Sequence, residues 1–156
     1  MNQPITALCL TLLLGAHSRQ DPAPVKTPPR PAKIVYALVC NVHNPYVAKT
    51  EHAKALIRKL YLAQLRDWPE AGKARAFGHS HGSHSQRAFE SRILGMSPAE
   101  MARYWLKIKN LNGTTPPMAL SSDRKIAKFV KKYKGAFGWM KASNAKKTGL
   151  KILFQF

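Results

Sequence analysis

The run Ile34-Val35-Tyr36-Ala37-Leu38-Val39-Cys40 constrains this chain more than any other feature. Seven apolar, largely β-branched or aromatic residues follow one another without polar alternation, the pattern of a strand covered on both faces. Such a strand calls for helices on either side of a sheet, hence an α/β fold. Its size fits: 156 residues with 45% hydrophobic content bury one ordinary core, as one small domain or two very small lobes sharing a core. A large multidomain enzyme is excluded, and so much apolar material argues against disorder.

Other elements follow from periodicity and end signals. Thr50 is placed to cap a helix with Ala53, Leu56, Ile57 and Leu60 inward. Ala74-Arg75-Ala76-Phe77 reads as a short strand, and Gly78-His79-Ser80-His81-Gly82 as the loop that ends it. Ser83 or Ser85 caps a helix carrying Phe89 and Ile93, stopped by Gly95. Ser97-Pro98-Ala99-Glu100 holds a capping-box Ser, a Pro at the first helical position and a Glu at the third. The helix it opens buries Met101, Tyr104, Trp105 and Ile108. After the loop Asn112-Gly113-Thr114-Thr115-Pro116-Pro117, Ser121 or Ser122 caps a helix with Ile126, Phe129, Val130 and Tyr133 inward. Its outer face carries Arg124, Lys125, Lys128, Lys131 and Lys132. Residues 135–140 and 150–156 read as two more strands.

Ahead of this lies an apolar run, Ile5 to Ala16, of the length of a signal-peptide core and too short to span a bilayer, which takes ~20 residues. Ala16-His17-Ser18 offers small residues for cleavage after Ser18, although Met1-Asn2-Gln3-Pro4 has no Lys or Arg. The expected organisation is a signal peptide over 1–18, a Pro-rich linker over 19–32 and a folded domain over 33–156, in the periplasm or secreted. Cleavage would remove Cys9 and leave Cys40 alone, so packing and not a disulfide has to stabilise the domain.

The order of motifs from 34 to 154 resembles short exported proteins with a PstS-like, phosphate-type periplasmic binding domain. The matching pieces are the first strand leading into Asn41-Val42-His43-Asn44-Pro45, Ile57 to Trp68, and Ser83-His84-Ser85-Gln86-Arg87-Ala88-Phe89. Leu94-Gly95-Met96-Ser97, Tyr104-Trp105, Asn112-Gly113 with Pro116-Pro117, and Lys134-Gly135-Ala136-Phe137-Gly138-Trp139 complete the series. The resemblance implies an abbreviated periplasmic-binding-protein type 2-like fold, a mixed sheet flanked by helices, and oxyanion binding in a cleft. It also implies an ABC permease as a partner. Two departures stand out. Leu62-Ala63-Gln64 replaces the usual Gly-Lys after the first helix, and the loop before the Arg-bearing helix is rich in His.

A helix start offers an oxyanion free N–H groups and a positive field. Gly82 permits close backbone approach, Ser83 and Ser85 can donate, and Arg87 supplies a guanidinium fork. These four are the candidate ligand residues for phosphate or a similar oxyanion, held between this helix start and the loop after the first strand. No cofactor and no catalytic machinery is expected. Cys40 reads as a buried small hydrophobe. No paired carboxylates, Ser/His/Asp signature or phosphate-cradling loop stands out.

Two alternatives come from other features. His79, His81 and His84 lie within six residues and could converge on a metal, and in the fold that the resemblance implies Cys40-x-x-His43 could face them across the cleft. And 26 Lys+Arg against 7 Asp+Glu give a net +19, which suits a protein that keeps the fold, has lost its pocket and binds anionic envelope surfaces. Nucleic acid is disfavoured, because no aromatic recognition motif accompanies the basic residues.

Overall fold

The computed structural model describes residues 34–156; the expected signal peptide and linker lie outside the described residues. Strand β1 (Tyr36–Cys40) sits inside a five-stranded sheet of order β5-β4-β6-β1-β7. The others are β4 (Arg75–His79), β5 (Met118–Leu120), β6 (Ala136–Lys141) and β7 (Lys151–Gln155); β2 (Asp67–Trp68) and β3 (Gly72–Lys73) form a separate small hairpin. β4 runs parallel to β5 and β6, whereas β1 runs antiparallel to β6 and β7. The sheet is therefore mixed, as expected.

Every residue of β1 is buried, and alternate side chains enter two different cores. Leu38 and Cys40 pack with Ile57, Tyr61, Phe89, Leu94, Trp105 and Trp139 under helices α1 (Thr50–Tyr61), α2 (His84–Phe89) and α3 (Pro98–Asn112). Ala37 and Val39 pack with Ile126, Val130, Met140 and Ala145 under α4 (Asp123–Lys132) and α5 (Ala142–Ala145). At about 1.5–3 kcal/mol for each large apolar side chain fully buried, these layers are what hold the sheet. Ile34 and Val35 are exposed and precede the strand, so the apolar run is longer than the strand it encodes. No described helix is long and apolar enough to cross a membrane.

Helix ends mostly follow their sequence signals. Ser97 and Glu100 make the full capping box at the start of α3, and burial-free hydrogen bonds from Ser97 hold the Glu100 carboxyl below its ordinary range. Ser122, of the two candidates, caps α4, and Ser83 caps α2 by accepting from the Gln86 N–H. Thr50 does not cap α1: Lys49 occupies that position and no side chain bonds there. Tyr133 lies just past α4 and is only half-buried, because the chain leaves the helix at Lys132. Beyond Phe89, α2 widens into a π-helical turn, Glu90–Leu94, closed by Gly95 at φ 64°.

A close approach at β6 depends on glycine. A Cβ on Gly138 would lie 2.8 Å from Ile126 Cγ2 and 3.0 Å from the Phe77 carbonyl, so glycine there lets α4 settle onto β6. Ala63, just past α1, adopts φ 55°, a left-handed conformation that strains any residue with a Cβ.

Candidate functional site

Strand direction decides which loops can meet. Because β4 and β6 are parallel, with Arg75 beside Ala136, their carboxyl ends lie together; because β1 is antiparallel to β6, with Tyr36 beside Lys141, it is the start of β1 that joins them. In open α/β sheets ligands bind outside the carboxyl ends of the parallel strands. Three helices begin at this edge: α2 after β4, α4 after β5 and α5 directly after β6. The loop Asn41 to Pro45 leaves the other end of β1. It cannot close over the start of α2, which corrects the expectation that the two would share a ligand.

That loop instead has structural duties. Asn41 Nδ2 donates to the carbonyls of Val130 and Lys131 at the end of α4, at 2.9 and 3.0 Å. Lys151 Nζ donates to the carbonyls of Asn44 and Tyr46. The Cys40 thiol is fully buried, and that burial pushes its pKa up to about 11 against a small lowering by Lys151. A thiol held so is a packing group and a poor nucleophile or metal ligand.

At the carboxyl edge, α2 and its π turn separate two unlike surfaces. On one side is a cleft of about 410 Å3, roofed by α3 and the Pro116-Pro117 segment. Its floor is polar. Gln86, buried, donates from Nε2 to Glu90 Oε1 at 2.9 Å and to Tyr61 Oη at 3.1 Å, while its Oε1 accepts from the His79 N–H at 3.1 Å. Burial, aided by the Glu90 charge and opposed by the Gln86 hydrogen bond, pushes Tyr61 up to about 12. Among the described residues no Lys or Arg lines this cleft. On the other side is a shallow hollow of about 220 Å3 lined by His84, Arg87, Ala88, Ser91 and Arg92.

The four candidate oxyanion residues divide between these places. Gly82, at φ 73°, lines the cleft. Ser83 spends its hydroxyl on the helix cap. Ser85 Oγ is buried without a partner among the described residues, and the Ser85 carbonyl accepts from Trp139 Nε1 at 3.2 Å. Arg87 is exposed and belongs to the hollow, where Arg92, which the sequence reading passed over, joins it. A helical turn sets this division: Gln86 and Glu90 are four apart on one face, and Arg87 and Ser91 four apart on another.

The three histidines do not converge. His79 is no loop residue but the last of β4, buried, with Nε2 at 2.9 Å from the Trp139 carbonyl and 3.5 Å from Asp123 Oδ1. A carbonyl only accepts, so Nε2 carries the proton. His81 is exposed at the cleft, and His84 Nδ1 lies 2.8 Å from the Tyr36 hydroxyl, outside it. His43 leaves the far end of β1. Among the described residues no three His, Cys, Asp or Glu side chains are placed to hold a metal, which overturns the metal-binding alternative.

Asp123 is the second residue that sequence did not single out. Its Oδ2 accepts from the Lys141 N–H at 3.1 Å and from Asn144 Nδ2 at 2.7 Å, so a carboxylate of the chain itself occupies the start of α5. An external anion at this edge therefore has the starts of α2 and α4 left to it, and at the start of α4 Ser122, Arg124, Lys125 and Lys128 line a further hollow.

This is the mixed sheet flanked by helices expected of an abbreviated periplasmic-binding-protein type 2-like fold. The chain is similar in fold to several solved structures. They include an ABC-type phosphate transport receptor from Vibrio cholerae, at 19% identity and a TM-score of 0.57 over 77% of this chain and 46% of that one. PstS from Borrelia burgdorferi matches at 15% identity and 0.54, over 77% of this chain and 47% of that one. A possible phosphate binding protein from Planctomyces limnophilus DSM 3776 matches at 17% and 0.52, over 77% and 41%. The chain thus spans less than half the length of each of these proteins, and at these identities the likeness is one of fold. No protein-family model and no curated protein matches the sequence.

Proposed function

We propose that this is an exported, non-enzymatic solute-binding-like protein that holds phosphate or a similar oxyanion beside the start of α2, for hand-over to an ABC permease. The observation that carries this reading is the pair of guanidinium groups, Arg87 and Arg92, meeting His84 and Ser91 in one hollow. Guanidinium forks match the planar, bidentate geometry of phosphate oxygens, and the first-turn N–H groups of α2 add a positive field nearby. Gly82, Ser83 and Ser85 shape the backbone that presents Arg87. The likeness in fold to phosphate receptors supports the same ligand class.

Calorimetric titration of phosphate into the purified chain, in buffer free of phosphate and sulfate, tests it. Saturable one-site binding is expected, with a loss of about tenfold or more in Arg87→Ala, since a hydrogen bond to a charged group contributes about 1.5–3 kcal/mol. Unchanged affinity in that variant, with its unfolding midpoint intact, would remove the assignment.

A second reading is favoured by a different surface. Arg124, Lys128 and Lys131 of α4 and Lys147 rim a groove of about 630 Å3 whose floor includes Ala127 and Met140. Such a face suits an anionic envelope surface. Under this reading binding to anionic vesicles weakens as salt rises and is indifferent to Arg87→Ala; salt-independent binding would count against it.

A further inference from the structure

We propose that the cleft opposite the arginine hollow takes a small ligand bearing an ammonium group, with Glu90 as its counter-charge. This stands apart from the oxyanion reading, since it concerns the other face of α2. The chain carries a net charge of +19, yet among the described residues this cleft is lined by no Lys or Arg and contains a carboxylate. Glu90 is only 5% exposed. Among the described residues its one hydrogen-bond partner is Gln86 Nε2, on Oε1, and no cationic side chain pairs with it.

A buried carboxylate held by a single neutral amide is poorly compensated for the water it has lost. Gln86 cannot do more, because both its N–H groups and its carbonyl are already engaged. The Glu90 carboxylate lines the cleft, so a further donor reaches it from there, water in the free protein and a ligand when one binds. An ammonium supplies it best, since charge-assisted hydrogen bonds are roughly twice as strong as neutral ones. Met101, Trp105, Pro116 and Pro117 supply apolar wall for the rest of the ligand, and about 410 Å3 is enough for one small ring or chain.

The surrounding charge gives this site an unusual salt dependence. Surface Lys and Arg repel an approaching cation through solvent, and salt screens that repulsion. The contact with buried Glu90 is screened much less. Ammonium binding should therefore tighten as ionic strength rises, whereas phosphate binding at Arg87 and Arg92 weakens.

Three probes of one shape test the proposal on the full chain at neutral pH: benzylamine, benzyl alcohol and benzoate, followed by the indole N–H resonance of Trp105. Benzylamine should bind about tenfold tighter than benzyl alcohol, and benzoate more weakly still. Glu90→Gln should abolish the preference for the amine, and Ala102→Trp, which fills the cleft from α3, should abolish binding of all three. Arg87→Ala should leave the amine unaffected, and Glu90→Gln should leave phosphate unaffected, so the two sites fail independently. Benzoate binding as tightly as benzylamine, an unchanged amine affinity in Glu90→Gln, or no response to any probe would overturn it.

Discussion

The two faces of α2 and its π turn differ as much as any two surfaces of the molecule. One carries Gln86 and Glu90, buried in a hydrogen-bonded floor with Tyr61 and His79; the other carries Arg87 and Ser91, open to solvent beside Arg92. Neighbours in sequence thus serve opposite purposes. The comparison teaches that a net charge says little about any one site. Among the described residues the Lys and Arg of this basic chain stay out of its cleft, because a long cation pointed inward would need both a partner and a dry place to sit.

The largest effect should come from breaking the buried face. Gln86→Leu strands the Glu90 carboxylate, the Tyr61 hydroxyl and the His79 N–H together, and at ~1–3 kcal/mol for each unsatisfied buried group the loss should be about 3 kcal/mol or more. Arg87→Leu, one residue on, should cost less than about 0.5 kcal/mol. Urea unfolding of the two variants checks this, and equal losses would erase the distinction between the faces.

Alkali sharpens the comparison next. Tyr61 keeps its proton to about pH 12 in the folded protein and loses it near pH 10 when unfolded. The folded state therefore holds the extra proton between those values, so stability must fall as pH rises through that window, by up to about 1.4 kcal/mol per pH unit. Glu90→Gln removes the neighbouring charge that helps raise Tyr61, and should move tyrosinate absorbance toward lower pH. No movement would mean that Glu90 does not act on the cleft floor.

The smallest effect lies away from both faces. Ala63→Gly relieves a left-handed backbone and should raise stability by about 0.5–1 kcal/mol, read as a rise of a few degrees in Tm. It should leave phosphate and amine binding alike untouched. A fall in Tm would show that the Ala63 side chain contributes more by packing than it costs in strain.

Much of the fold was legible. The apolar run announced a strand covered on both faces, and the Ser97 capping box placed the start of α3 to the residue, because both are local patterns that nearby chain satisfies. Arg87 was legible as a ligand candidate because a helix start and a guanidinium are adjacent in sequence. The cleft was not. Tyr61 lies 25 residues from Gln86, and His79 meets a carbonyl 60 residues away, so nothing local marks them as one floor. The only trace was the spacing of Gln86 and Glu90, two polar residues four apart and so on one helix face.

By itself, then, the sequence determined the α/β class, the two-sided core around β1, most helix caps and the basic surface, since each follows from side-chain chemistry over a few residues. Strand direction was decided only by the tertiary structure, and with it the site. Running β1 antiparallel to β6 sent the Asn41 loop to the far end of the sheet and the histidines to three different surroundings. Pairing of that kind is set by which strands bury one another best across the whole chain, a property no short stretch of residues carries.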